Sequence, residues 1–312
     1  MSVARHTFME RVTAFKSAVN APILVSRDPL EVDHNNTARL LRNGLAVVGF
    51  AILEDFVRGR LKEILARVGS SNIPFDELPD PLRNAAVLGA VHALAYHGEL
   101  RRRQGDDYVS FIQEHGCLIG STRSASYKIS EMALGWDRPN LSASDIKDIL
   151  TTFKIRDGWG NIEALAKRVG LASPSLREDF SQAARRRHRA AHLATADTEV
   201  THLMSFGHQA IGIALGFDAL LSCSLRRLLD RDSSYLSDKG SVQEGEIRAR
   251  FIDPDGTTWR EIKEGSKRAV RRNSDVKALT SACLARPDAR NDLVIVRDSS
   301  RQPTKWFIQS VA

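Results

Sequence analysis

Apolar positions recur every three to four residues over most of the first 230 residues, the periodicity of helices with one buried face. The clearest run passes from Leu30 through Leu40, Leu45, Ile52 and Phe56 to Leu65, and predicts one long amphipathic helix. Pro29, directly after Asp28, suits its first turn, because proline lacks the N–H that would be left unsatisfied there. A second helix is expected over 81–103. Ser142-Ala143-Ser144-Asp145 before Ile146, Ile149 and Leu150 marks a helix start, with a side-chain cap and an early acid. A short helix over 161–169 is closed by Gly170. Pro174 opens the next, which carries Arg187 and His192 to about Ala194, and Asp197 or Thr198 caps a last long helix ending near Leu229.

The pattern changes after the polar stretch 230–245, which reads as a linker. Residues 247–252 and 257–262 alternate, and Asp253-Pro254-Asp255-Gly256 between them supplies turn chemistry, so a hairpin is expected. A helix over 276–284 and strands over 293–297 and 305–309 follow. The expected class is mainly α, with a helical domain over 1–232 and a small basic α+β domain over 246–312.

Composition narrows this little. The 312 residues are 42% hydrophobic and 27% charged, ordinary for a globular chain with a real core. Cys117, Cys223 and Cys283 are odd in number and far apart, which fits neither a disulfide framework nor a zinc spacing and suits a reducing cytoplasm. Arg5, Glu10 and Arg11 stand where a signal peptide would be apolar. Glu54 and Asp218 interrupt the longest apolar stretches, so no membrane association is expected. The net charge of +7 permits a nucleic-acid partner. Residues 246–312 hold 14 Lys/Arg against 9 Asp/Glu, so most of the excess lies there, with a second concentration at Arg185, Arg186, Arg187 and Arg189.

That second concentration carries the candidate chemistry. Cleaving RNA without a metal requires a base for the 2′-OH, an acid for the departing 5′ oxygen and cations for the phosphorane. Histidine titrates near neutrality and arginine forks onto phosphate oxygens, so Arg187 and His192 supply the needed types. Five residues apart on a helix, they stand about 140° apart around its axis, whereas His188 and His192 share a face. Spacing alone leaves a solvated basic helix as an equal reading.

Arg187-His188-Arg189-Ala190-Ala191-His192 resembles the motif of HEPN proteins: arginine, a polar residue, three variable residues, histidine. The stretch from Thr37 to Val57, with Glu54 after an apolar run, is similar to the first helix of their RiboL-PSP branch. The segment from Lys128 to Phe153 is similar to the middle of that branch. The likeness covers about residues 35–230. It implies an antiparallel helical bundle that forms a homodimer around a shared cleft, and a metal-independent endoribonuclease with no cofactor, acting as a toxin or anti-phage effector with an antitoxin or defence partner. It implies further that Arg187 binds the phosphate, His192 transfers protons, His188 is the polar second residue and Glu54 orients Arg187. Arg185, Arg186 and Arg189 lie outside the motif and are expected to grip the RNA backbone. Some members of the family are silent binding modules, which is the alternative function.

Other readings compete. His188 and His192 have the i, i+4 spacing of metal ligands but lack a third ligand, and Arg189 stands where a glutamate would follow. Glu54 has the alternative of a polar stripe shared with Arg58. His92, His97, His202 and His208 read as packing or surface residues, and Trp136 and Trp159 as packing anchors. The cluster Lys267-Arg268…Arg271-Arg272 reads as a basic loop open to RNA, an acidic partner or solvent alone.

Overall fold

The computed structural model describes residues 2–134, 140–237, 239–286 and 289–308, so Trp136 and the end of the strand expected over 305–309 lie outside the described residues. The chain runs through α1 (Val3–Val19), α2 (Val32–Gly69), α3 (Asp80–Asn84), α4 (Ala90–Gln104), α5 (Tyr108–Ser121), α6 (Ala143–Thr152) and α7 (Gly158–Arg168). Then come α8 (Leu176–His192), α9 (Val200–Leu229), α10 (Ser233–Leu236), β1 (Arg248–Asp255), β2 (Thr258–Lys263) and β3 (Ala269–Asn273). The last elements are α11 (Val276–Leu284), β4 (Asp292–Arg297) and β5 (Pro303–Ile308). The protein is therefore mainly helical with a small C-terminal sheet.

Two compact units form. One contains residues 1–58, 159–219 and 244–312; the other contains 59–158 and 220–243. This grouping differs from a division into 1–232 and 246–312: the sheet belongs with α1, α7, α8 and the leading parts of α2 and α9.

In the second unit, α6 has the expected capping box, with Ser142 and Asp145 each accepting from the other's backbone N–H. The helix expected over 81–103 forms with a one-residue-wider turn at Ala85–Gly89. Helix α5 buries one residue, His115, although Val109, Ile112 and Ile119 recur at helical spacing. Stretch 230–245 is no loose linker. Tyr235 is buried in it, its hydroxyl bonded to Ser224 Oγ at 2.6 Å, and Val242 N–H donates to the Lys154 carbonyl.

In the first unit, α2 begins at Val32, not at Pro29, because the Asp28 carboxylate accepts from Leu30 N–H and closes a turn. Phe50, Leu53 and Phe56 are buried, but Leu30, Leu40, Leu41 and Val48 of the periodic series face outward. Gly49 lets α1 come close: a Cβ there would stand 2.7 Å from the Phe15 ring. Gly170, with φ +85°, closes α7 as expected. Helix α9 is long and apolar enough to cross a membrane by length and composition, and 89% of that apolar window is buried inside the fold, as in a core helix.

The sheet has the order β3-β2-β1-β4-β5, with β1 parallel to β4 and the other pairs antiparallel. The hairpin turns at Gly256 (φ +62°), and Asp253-Pro254-Asp255 lies within β1, with Asp255 opposite Thr258. The Arg271-Arg272 part of the basic cluster is edge strand β3, not loop, and its charges blunt an exposed edge. Ile252, Val294 and Val296 pack one face against Leu279 and Cys283 of α11. From the other face Trp306 reaches the rings of Phe8 and Phe56 at 6.1 and 6.2 Å. Its Nε1–H donates to Asp218 at 2.7 Å, and Arg5 Nε donates to the same carboxylate oxygen at 2.7 Å. Asp218, which interrupts the apolar run of α9, is the buried acid that joins α1 and the sheet to that helix.

Candidate functional site

Helix α8 starts where Ser175 Oγ accepts from Glu178 N–H. It holds its place through Leu176, Phe180 and Ala183, which are buried at helical spacing. Arg187 continues that series eleven residues after Leu176, about 20° away around the axis. It is accordingly half-buried on the inner stripe, and its Nε is buried without a hydrogen-bond partner. His192 ends the helix about 140° from Arg187 and is exposed. The two residues of the motif do not converge within one copy of the chain.

A different set converges. Arg185, His188, Arg189 and His192 follow i, i+3, i+4, i+7 and are all exposed, so they form one outward face. The rings of His188 and His192 lie 4.6 Å apart between centroids, inclined by 50°. Arg189 and His192 occupy the last turn, where the carbonyl end of a helix favours cations. Arg185 is engaged by Glu178 at 2.5 Å, whereas Arg189, among the described residues, makes no side-chain hydrogen bond or ion pair. Chemically, this face offers two imidazoles and a guanidinium to an anion arriving from solvent.

Glu54 is not the partner of Arg187. It is buried and engaged elsewhere. Asn43 of α2 stands opposite residues 196–198, and Phe50 opposite Phe180 at 5.2 Å between ring centroids, so α2 and α8 run antiparallel. Passing from Phe50 to Glu54 therefore leads away from Arg187, to a separation of roughly 16 Å along the axes at 1.5 Å per residue.

The sequence reading missed what fixes the end of α8. Arg42 is buried and donates to Asp197 at 2.6 Å and to the Leu24 carbonyl at 2.7 Å. Asn43 donates to the Ala196 carbonyl at 2.7 Å and accepts from both Thr198 N–H and its hydroxyl. Asp197 and Thr198 are thus spent on α2, where caps for α9 were expected. A buried Arg-Asn pair in an apolar helix is the signal that pointed here, since each needs a fixed partner.

Arg186 lines a different feature. A cleft of about 560 Å³ opens between α8 and the start of α9, walled by Arg186 and Arg189 on one side and Glu199, His202 and Gln209 on the other. Burial pushes the Arg186 guanidinium below its ordinary pKa and Arg185 adds to this, while Asp179 opposes it. Of the other histidines, His208 bonds Gln302 at 3.2 Å and His202 stands 4.0 Å from Glu199. Trp159 packs on Phe180, as an anchor does.

No family model, curated protein or solved structure matches the chain.

Arg187→Met keeps an apolar stem of similar length and removes a guanidinium with a buried, unpartnered Nε. Replacing such a group by an apolar one is commonly neutral or favourable. The expected result is an unchanged or raised melting temperature; a loss above ~2 kcal/mol would show a structural role for the charge.

Proposed function

We propose that this protein is a metal-independent endoribonuclease of the HEPN type, acting in the cytoplasm as a toxin or anti-phage effector. The observation that carries the reading is the outward face of α8, where His188 and His192 lie side by side next to Arg189. One imidazole takes the proton of the 2′-OH as its oxygen attacks phosphorus. The other protonates the 5′ oxygen as its bond to phosphorus breaks, leaving a 2′,3′-cyclic phosphate and a 5′-OH. Arg189 faces the charge that gathers on the phosphorane oxygens. Arg187, half-buried on the inner stripe with its Nε enclosed, stays within its own fold, and the homodimer of this scheme adds the exposed cations of a second α8 to the histidine face. No cofactor enters this scheme.

Expression in a bacterium tests it: the intact protein is expected to arrest growth and the His192→Ala protein is not. Equal arrest by both would contradict the reading.

A second reading is favoured by one observation. His188 and His192 stand on an open helix surface and do not line the cleft between α8 and α9. A chain that only binds RNA, or an antitoxin or defence partner, would need no closed reaction site. It predicts arrest, or partner capture, that does not depend on His192.

A further inference from the structure

We propose that the outer face of α2, from Thr37 to Asp55, binds the same face of a second copy of the chain. The two helices run antiparallel about a two-fold axis at the level of Ala46. The sequence of this stretch already belongs to an interior. From Gly44 to Leu53 ten consecutive residues are apolar, so the helix is apolar on every side, the mark of a helix covered all round. Ten residues are about half of a membrane span, which sets a lipid span aside. The fold itself covers one side only. Phe50 and Leu53 are buried, whereas Leu40 is 69% exposed, Leu41 42% and Val48 54%.

Spacing on the uncovered side fits a helical partner. Thr37, Leu41, Gly44, Val48, Ala51 and Asp55 follow at intervals of four, three, four, three and four residues, the heptad seam of a coiled pair. Each of them reaches solvent. Sizes along the seam select the partner and its direction. With the second copy antiparallel, Leu41 lies opposite Ala51 and Val48 opposite Gly44, so each large side chain meets a small one. A methyl group at Gly44 would meet nothing within 4 Å, so the space for that valine is open. Asp55, held by Arg11 at 2.8 Å, then lies opposite Thr37, whose hydroxyl can donate to it. With the copy parallel, Gly44 would face Gly44 and Ala51 would face Ala51, leaving voids, and two Asp55 carboxylates would meet. The face is complementary to itself in one direction.

In the part that rests on the ribonuclease reading, this pairing assembles the reaction site. Asn43 is less than one turn from the level of Ala46 and holds Ala196 and Thr198, which follow His192 by four and six residues. The axis of the pair thus has the end of an α8, with its two imidazoles and Arg189, on either side.

The test is sedimentation of the full chain across the micromolar range. The intact protein is expected at twice the chain mass. Leu41→Lys and Val48→Lys each put a cation into the seam at an exposed position. Each is expected to raise the dissociation constant at least about a hundredfold, with helical content unchanged by circular dichroism. Ala51→Glu should also dissociate the pair. Leu41→Lys with Ala51→Glu in one chain should restore it, because antiparallel copies set each lysine against a glutamate. A monomer at every concentration, or a dimer that either lysine leaves intact, would overturn the seam. A monomer that instead sediments with phosphatidylcholine vesicles would assign the face to a lipid surface. A folded double variant that stays monomeric would overturn the antiparallel direction. RNA cleavage is expected to fall at least about tenfold in both lysine variants, and an undiminished rate in the dissociated chains would overturn the shared site. Pairing without any RNA cleavage would contradict the ribonuclease reading alone, and cleavage by an intact protein that never pairs would contradict the seam alone.

Discussion

His192→Ala is expected to lower RNA cleavage in the presence of a chelator by about 10²–10⁴-fold, the usual worth of a positioned proton-transfer group. The melting temperature should not move, because the imidazole is exposed and its one ring contact is with His188. His188→Ala should act alike if the two imidazoles divide the acid and base roles between them. An intact rate in His188→Ala with a lost rate in His192→Ala would contradict this division and give the second role to another copy of the chain. A rate that survives both substitutions would remove α8 from the chemistry altogether.

Asp218→Ala is expected to produce the largest loss of stability. The carboxylate is fully buried and accepts from Arg5 and Trp306, so removing it leaves a buried guanidinium and an indole N–H without their acceptor. Breaking such a pair from one side costs about 3–5 kcal/mol. The sheet and α1 both lose a buried polar tie to α9, so the urea midpoint should fall while the spectrum of the remaining fold stays helical. The double substitution Arg5→Met with Asp218→Leu should recover much of the loss, since apolar replacement of a buried pair is often neutral or better. An unchanged midpoint in Asp218→Ala would show that Trp306 is held by packing against Phe8 and Phe56 alone.

Local signals carried the helices well and the contacts between them poorly. Ser142 and Asp145 announced the start of α6 because a cap and its helix are neighbours in sequence. Gly170 likewise announced the end of α7. The inward direction of Arg187 was also legible, since Leu176, Phe180 and Ala183 already set the buried stripe that it extends. Its partner was not. Whether Glu54 meets Arg187 depends on the direction and register of α2 against α8, which is fixed by Asn43 and Phe50 far along the chain. The same distance hid the docking of the sheet. Asp218 stood out as an acid in an apolar run, but only the fold brings Arg5 and Trp306, 213 and 88 residues away, onto its oxygens. Helix α5 departs from its pattern in the other direction: Val109 and Ile112 stand at helical spacing, as in a core-facing stripe, yet both are exposed. Strand β3, Ala269–Asn273, is a charged edge strand buried on neither face, so no alternation of apolar and polar positions marked it.

The most direct measurement of the central claim is the end-group chemistry of RNA incubated with the purified full chain in excess chelator. Attack by the 2′-OH under imidazole catalysis predicts 2′,3′-cyclic phosphate and 5′-OH ends, formed at the same rate with and without added divalent metal. Intact RNA under those conditions, or 5′-phosphate and 3′-OH ends that appear only with metal, would contradict it.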